Sequence, residues 1–328
     1  MAQSTPTPNE LLDSEASLPL YDPAKYPGVG FTSTTSAKSW TSNGTVWIPT
    51  AGGGGVPASF YGDGSAGDVT IAVVSPLAAD LYADHLVIQA GGDLQPNGWK
   101  IYAKTSIVIA AGGKVSNNGN AAVGNAAGAP TGKGSVVAEG LAGGKGGVGG
   151  PGNGGIAAID CVVAPIGGGG GDGGDGGLNA GGLGGVAVTE AVAGNFHTAS
   201  NALMLIPSGR LATAVIGAGT GGGGGGSDAG GLGGGGGGGA GIVYMATPSL
   251  TNDGTIEALG GTGGDGVAPN NQGGGGGGGG GVIFLVHEGP VLGAGTAVAT
   301  GGLPGVPNAA GTPGDAGSAG TYFNFKIG

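Results

Sequence analysis

The stretch Gly273-Gly-Gly-Gly-Gly-Gly-Gly-Gly-Gly281-Val282-Ile283-Phe284-Leu285-Val286 joins nine consecutive glycines directly to five apolar, β-prone residues. The same arrangement occurs earlier, where the glycine run 233–239 leads into Ala240-Gly241-Ile242-Val243-Tyr244-Met245. Isolated polyglycine has no side chain to bury and the greatest backbone entropy to lose, so by default it is disordered. Because each run here leads into a strand-forming segment, we predict that the runs are ordered packing elements.

The composition also favours an ordered chain. Glycine fills 89 of the 328 positions, yet the mean hydropathy is +0.20 and only 9% of residues are charged, whereas disordered segments are polar or highly charged. Aromatic residues make up 5%, so the core must consist largely of small and aliphatic side chains. The 19 prolines lack the strict Gly-X-Y period of collagen.

Charge and hydropathy exclude several classes of partner. The formal net charge of −11 disfavours nucleic acid and anionic membrane surfaces, because their phosphates require clusters of Lys and Arg. No apolar run reaches the length of about 18 residues that membrane insertion requires. The single cysteine, Cys161, cannot form an intrachain disulfide, and its apolar surroundings predict a buried strand residue rather than a reactive thiol.

A repeat of 21 residues indicates how the strands are arranged. Residues 85–98 align without gaps onto residues 106–119, so that Asn97-Gly98 matches Asn118-Gly119, and a shorter copy follows at residues 250–254. A period near twenty residues, with strands and glycine corners, is typical of a β-solenoid. We therefore predict an all-β fold built from right- or left-handed β-solenoid rungs.

Three glycine-rich stretches have a different period. Residues 143–151, 170–178 and 181–186 follow a Gly-Gly-X pattern, and three residues per turn is the repeat of a polyproline II helix. In such a helix two faces stay bare for neighbouring backbones, which hydrogen-bond to one another, while the third side chain points outward. We predict that the glycine-rich tracts pack as polyglycine II helices fused to the strands, and that residues 273–281 span about 28 Å.

The first 55 residues differ from the rest of the chain. Residues 9–17 predict a short helix with Asn9 as its N-cap, and residues 39–48 predict a hairpin around Asn43-Gly44. The segment is either a small β and extended module or a segment that attaches the chain to a larger assembly. We divide the chain into an attachment segment with the hairpin (1–55), a solenoid-like domain (56–140) and a glycine-rich domain of short strands and polyglycine II helices (141–328).

Large aromatic side chains in the first segment are the candidates for such an attachment. These residues are Tyr21, Tyr26, Trp40 and Trp47. The receptor-facing or ligand-binding residues elsewhere in the chain are not identified by any sequence motif.

No catalytic constellation is recognisable, and we predict that the protein is not an enzyme. His85, His197 and His287 lie far apart, and the strand patterns around His85 and His287 favour strand-edge residues over metal ligands. Asp172 and Asp175, like the aspartates of residues 63–68, are expected to be solvated loop residues rather than a catalytic pair.

One segment fits a metal motif. Residues 260–268 match the calcium-binding nonapeptide G-G-x-G-x-D-x-U-x at every fixed position, with Asp265 as the acidic ligand. That motif works in tandem, and only one copy occurs here, so we predict no cofactor and retain Asp265 as a weak calcium candidate.

The segment Gly62-Asp-Gly-Ser-Ala-Gly-Asp-Val-Thr-Ile71 resembles the opening of glycine-rich virion proteins of tailed bacteriophages. The apolar rung, the Asn-Gly corners and the glycine tracts that follow extend the resemblance over roughly residues 56–290. It implies a tail-fibre adhesin, a head fibre or a capsid-decoration protein. In related adhesins, polyglycine II helices form a rigid sandwich whose distal loops contact the host.

The leading hypothesis is thus a non-enzymatic phage virion surface protein, anchored by its N-terminal segment and projecting a rigid body that contacts the host. One alternative is a capsid-decoration or fibre-shaft protein without a receptor role, since aromatic-rich loops between the glycine tracts are missing. An ice-binding protein, a glycine-rich mycobacterial surface protein and a solenoid depolymerase are further alternatives.

These hypotheses carry expectations about partners and location. We expect contacts with other virion proteins of the capsid or tail, with a host-surface glycan or outer-membrane protein, and with two further copies in a homotrimer. The N-terminus, Met1-Ala-Gln-Ser-Thr-Pro6, lacks a basic start and an apolar core, so no signal peptide is expected. The protein would be made in the host cytoplasm, released by lysis and located on the virion surface.

Overall fold

The computed structural model describes residues 10–13, 23–25, 30–33, 39–42, 47–49, 60–132, 134–136, 139–148, 168–184, 218–228 and 230–327. These residues form seventeen β-strands and two short 3₁₀ turns, Pro23–Lys25 and Gly134–Val136, and they contain no α-helix. The prediction of an all-β chain is thus confirmed for the part that the structure describes. No helix among these residues is long and apolar enough to cross a membrane.

The N-terminal sheet has the order β1-β2-β3-β4. Its strands are β1 Glu10–Asp13, β2 Gly30–Ser33, β3 Ser39–Ser42 and β4 Trp47–Pro49. The antiparallel pairing of β3 with β4 confirms the two arms of the predicted hairpin, but the pair Ser42–Trp47 leaves four residues between them rather than the two of an Asn-Gly turn. The predicted helix over residues 9–17 is wrong at residues 10–13, which instead pair in parallel with β2. An isolated helix of this length is barely stable in water. Pairing with a neighbouring strand satisfies the backbone N–H and C=O groups of this segment instead.

Two parallel sheets form the strand layer of the molecule. The large sheet contains β5 Val69–Ile71, β7 Leu81–Ile88, β9 Ile101–Ile109, β11 Ile242–Ala246, β12 Ser249–Asn252, β14 Val282–His287, β15 Val291–Leu292 and β17 Thr321–Lys326. The small sheet contains β6 Val74–Pro76, β8 Asp93–Gln95, β10 Lys114–Ser116, β13 Thr255–Glu257 and β16 Thr296–Val298. The chain visits the large sheet and then the small sheet in turn, so each pass stacks on the one before it.

The strand register reproduces the sequence repeat. His85 pairs with Ser106 and Asp93 pairs with Lys114, both at the predicted offset of 21 residues. The third copy is not in register with the two Asn-Gly corners. Leu250 pairs with Ile107 and Thr255 pairs with Lys114, so residues 252–254 take the place of residues 109–113, between the large and the small sheet. The repeat of residues 85–98 and 106–119 is a real spatial repeat of strands.

Beyond β10, glycine-rich excursions separate successive passes. β13 ends at Glu257 and β14 begins at Val282, and the glycine-rich residues 258–281 lie between them. The offset between paired small-sheet strands consequently rises to 41 residues, from Thr255 to Thr296. Strands from the predicted 56–140 domain pair with strands of the predicted 141–328 domain, as β10 does with β13.

Side chains build the core of the strand layer on both faces of the large sheet. One face packs aliphatic residues such as Ile88, Ile107 and Val243 against Leu94 of the small sheet. The other face is aromatic, with ring centroids 5.7 Å apart for Tyr102 and Tyr244, 6.5 Å for Tyr244 and Phe284, and 5.1 Å for Phe284 and Phe323. Each ring belongs to a different strand, so the aromatic face ties the passes together.

The glycine-rich excursions pack beside one another as a glycine bundle, which comprises the described parts of residues 119–148, 168–184, 218–241, 258–281 and 299–320. Its central tract is 273–281, where all nine N–H groups donate to backbone carbonyls of three neighbouring tracts in rotation. The acceptors, in chain order, are Gly226, Thr312, Gly264, Gly223, Asp315, Gly261, Thr220, Ser318 and Ala258. The carbonyl groups of the same tract accept hydrogen bonds from three other tracts. The N–H groups of Gly234, Gly174 and Gly305 donate to the first three carbonyls, and the pattern then repeats every three residues. The tract therefore has six neighbours.

Position in the bundle explains which tracts are pure glycine. Every residue of the runs 221–226, 233–239 and 273–281 is buried. A Cβ built on Gly276 would lie 2.0 Å from the carbonyl oxygen of Gly171, closer than real Cβ contacts. The outer tracts keep the Gly-Gly-X period, and their X residues are exposed, as predicted. They include Lys145, Val148, Asp172, Asp175, Leu178 and Leu183.

Candidate functional site

The candidate attachment residues fall partly outside the described residues. Tyr21 and Tyr26 lie there, as do Cys161 and His197. Trp40 lies on β3 opposite Pro49, and Trp47 lies on β4 opposite Ser42. The register thus brings these two tryptophans onto the two arms of one hairpin, and their role in attachment stays a prediction.

Several aspartates of the glycine bundle accept hydrogen bonds from backbone N–H groups of neighbouring tracts. Asp265 Oδ1 accepts from the N–H of Val306 at 2.7 Å. Asp172 and Asp175 accept in the same way from Gly184, at 2.5 Å, and from Gly181, at 2.9 Å. An outer tract has N–H groups without a glycine neighbour on its solvent side, and a carboxylate at an X position satisfies them.

These hydrogen bonds give each of these carboxylates a structural task that the sequence did not reveal. Asp172 and Asp175 are exposed, as expected, but they are bonded rather than merely solvated. In the calcium candidate, one carboxylate oxygen of Asp265 is engaged by the protein. Among the residues that the structure describes, Asp265 belongs to no group of three potential metal ligands.

One group of three such ligands does occur, at Asp68, Asp84 and His85, whose ligand atoms lie within 4.8 Å of one another. Asp84 and His85 are adjacent on β7, and an irregularity in the pairing of β7 with β9 occurs between Ala83 and His85. One imidazole nitrogen and two carboxylates suit a divalent transition metal. Two of the groups already have protein partners, because Thr105 Oγ1 donates to Asp84 at 2.6 Å and His85 Nδ1 lies 2.9 Å from Ser106 Oγ.

Asp63 and His287 are each held by hydrogen-bond partners within the protein. Asp63 accepts a hydrogen bond from the N–H of Ser65 at 2.9 Å, which holds the pKa of its carboxyl below the usual value. His287 lies on β14, as predicted, and its ring nitrogens contact the carbonyl of Gly289 and the Asn324 side chain.

The free end of the glycine bundle, opposite the strand layer, gathers turns from distant parts of the chain. We call this end the tip. Isolated bridges join Leu232 to Val148 and to Val267, and join Gln272 to Ser227 and to Asn308. Sequence reasoning missed this site, because its turns are separated by whole tracts. The only local signal was the replacement of glycine by turn residues at the ends of the tracts.

Apolar side chains are exposed at the tip, as they are along the outer tracts, where Leu183 is 73% and Leu303 is 68% exposed. Leu178 is 95% exposed, Val123 79%, Val148 66% and Val306 64%. Amide side chains hold the turns between them: Asn179 Nδ2 donates to the carbonyl of Ser227 at 2.7 Å. The tip therefore presents apolar side chains on turns that are fixed by hydrogen bonds, a combination typical of a contact surface.

Comparisons with protein-family models, with curated proteins and with solved structures found no match to this chain.

Proposed function

We propose that this protein is a non-enzymatic virion surface protein of a tailed bacteriophage. Residues 1–55 anchor it to the capsid or tail, and the glycine bundle projects outward so that its tip contacts the host surface. The observation that carries the proposal is the geometry of the bundle, in which a lattice of backbone hydrogen bonds holds exposed apolar turns at its free end. A projecting binding element needs this combination of a stiff support and an exposed end.

The finer architecture is part of the same proposal. The stacked passes through the two parallel sheets are rungs of a β-solenoid, and the glycine tracts are polyglycine II helices. Support comes from the 21-residue strand register and from the three-residue rotation of donors along 273–281. Hydrogen exchange read by mass spectrometry tests it: amides of 273–281 are expected to exchange as slowly as those of β14. Exchange as fast as in an unfolded peptide would overturn it.

The proposed anchoring is tested on particles. Purified phage from the virus that encodes this chain should contain the protein, as detected by mass spectrometry. Deletion of residues 1–55 should abolish its incorporation, whereas the matched tip variant Leu178→Asp should be incorporated normally. Normal incorporation of the deletion variant would overturn the role of the N-terminal segment, and absence of the protein from particles would overturn the proposal.

Purified protein separates a receptor-binding role from decoration or a fibre shaft. If the tip contacts the host, added protein should block phage adsorption, and Leu178→Asp should lose that inhibition. If the protein only decorates the particle, neither form will inhibit.

The ice-binding alternative requires a uniform exposed array. The exposed X residues of the outer tracts are chemically mixed, with Lys145, Asp172 and Leu183 among them. Thermal hysteresis of the purified protein would favour ice binding over the proposal.

A further inference from the structure

A polar cleft of about 460 Å³ opens where the small sheet meets the glycine bundle. This is within the range of roughly 300–1,000 Å³ that is usual for ligand sites. Residues from β8 and β10, from the corner after β8 and from the start of the bundle line it. The side chains that matter here are Asp93, Gln95, Asn97, Lys114, Ser116 and Asn120.

A hydrogen-bonded network fixes the floor of the cleft. Ser116 Oγ donates to Asp93 Oδ1 at 2.7 Å, and Gln95 Nε2 donates to Asp93 Oδ2 at 3.2 Å. The Lys114 ammonium lies 3.7 Å from Asp93 Oδ2 and 3.6 Å from a carboxylate oxygen of Glu257. Asp93 and Ser116 are buried, so the network is preorganised rather than solvated.

The charges of this network narrow the class of ligand. A metal cation is disfavoured, because the Lys114 ammonium already faces Asp93 and both oxygens of that carboxylate accept hydrogen bonds. An anion such as phosphate is disfavoured, because Lys114 is flanked by Asp93 and Glu257. An apolar ligand would leave the polar walls without partners.

Neutral groups that both donate and accept hydrogen bonds remain. In the part of the chain that the structure describes, the Asn97 side chain has no hydrogen-bond partner, and Gln95 keeps its carbonyl oxygen for a ligand. Each amide offers donors and an acceptor, which matches hydroxyl groups that do both. Asn120 is already held by the carbonyl oxygens of Ala129 and Pro130 and presents its own carbonyl oxygen.

We infer that this cleft binds a neutral saccharide unit, held by the Asn97 and Gln95 amides above the Asp93–Lys114 network. The inference deepens the proposed function and rests on it for its biological meaning, because it assigns a glycan to a site at the base of the bundle rather than at the tip. The binding itself is a property of the purified chain.

The test uses full-length protein and saturation-transfer-difference NMR with four probes: glucose, galactose, mannose and N-acetylglucosamine. At least one probe is expected to receive saturation from the wild-type protein. Asn97→Gly removes the amide but keeps the left-handed backbone at this position, whose φ is 49°. Gln95→Ala is the second cleft variant. Each of the two variants should weaken binding about tenfold for each hydrogen bond that it removes.

Leu183→Ala is the matched control, because it shortens an exposed side chain of an outer tract and leaves both the cleft and the tip intact. It should bind the saccharide as the wild type does, and thermal melting verifies that each variant is folded. The inference is overturned if none of the four probes receives saturation, if both cleft variants bind like the wild type, or if Leu183→Ala loses binding. None of these results bears on incorporation into particles, so they are distinguishable from failure of the proposed function.

Discussion

The strand layer and the glycine bundle both bury closely packed backbone, but they satisfy its hydrogen bonds in different ways. In the large sheet each strand bonds to neighbours in one plane, which leaves two faces for side chains such as Tyr244 and Phe284. In the bundle, the tract 273–281 bonds to six neighbours around its axis. No direction is left for a side chain, so glycine is required.

This difference determines where each region obtains its stability. The strand layer depends on apolar burial, which tolerates changes of shape when volume is conserved. The bundle depends on backbone hydrogen bonds between tracts that approach too closely for any Cβ. We therefore expect the bundle to be more sensitive to the smallest side chain than the strand layer is to the loss of a large one.

The largest effect is expected for Gly276→Ala. The new methyl group would lie 2.0 Å from the carbonyl oxygen of Gly171, and rigid tracts on all sides prevent relief. The free energy of unfolding should fall by at least about 4 kcal/mol, or folding should fail. Gly289→Ala is the control, since its nearest neighbour would be the Pro248 carbonyl oxygen at 3.6 Å, and it should be close to neutral. Equal losses in denaturant melts of the two variants would contradict this expectation.

A somewhat smaller loss is expected for Phe284→Ala in the strand layer. Phe284 is fully buried, and its ring stacks 5.1 Å from that of Phe323, so truncation should cost about 3–5 kcal/mol. Tyr322→Ala, at a side chain that is 41% exposed, should cost less than about 1 kcal/mol. If Phe284→Ala lowered the free energy of unfolding more than Gly276→Ala does, the ranking of the two regions would be reversed.

Alkaline pH should weaken the strand layer selectively. Burial raises the pKa of Tyr244 in the folded protein, while an unfolded tyrosine ionises at about pH 10. Its contribution to stability is therefore complete below that pH and declines above it, by about 1.4 kcal/mol per pH unit. Tyr244→Phe should make the decline of Tm with pH less steep without abolishing it, because burial also raises the pKa of Tyr61 and of Tyr102. An unchanged slope would show that another group is responsible.

The smallest loss of stability is expected for a change on an outer tract of the bundle. Asp265→Ala should cost about 1 kcal/mol, because the N–H of Val306 loses its acceptor, whereas Asp265→Asn keeps an acceptor oxygen and should cost less. Melts in calcium and in EDTA extend the test to the metal. A Tm that rises with calcium in the wild type, but not in Asp265→Ala, would restore the calcium interpretation.

Local patterns predicted the features that depend on neighbours along the chain. The strands after the glycine runs, the 21-residue register and the outward X residues all follow from β-propensity or from a short period. The helix over residues 9–17 was wrong at Glu10–Asp13, because pairing with a strand about twenty residues away outweighed a weak local preference. The tip and the polar cleft were not predictable, since each combines segments separated by whole tracts.

Two Asn-Gly dipeptides show how far local sequence specifies the path of the chain. The repeat aligns Asn97-Gly98 with Asn118-Gly119 and so determines that strands β8 and β10 stack. At Asn97-Gly98 both residues have positive φ, and the chain turns back into the next strand of the large sheet.

At Gly119 the chain instead enters the bundle, where a Cβ would lie 2.1 Å from the carbonyl oxygen of Gly238. The two dipeptides are identical in sequence, so local preference cannot distinguish them. The choice depends on contact with a tract more than one hundred residues away in the chain, which only the folded molecule provides.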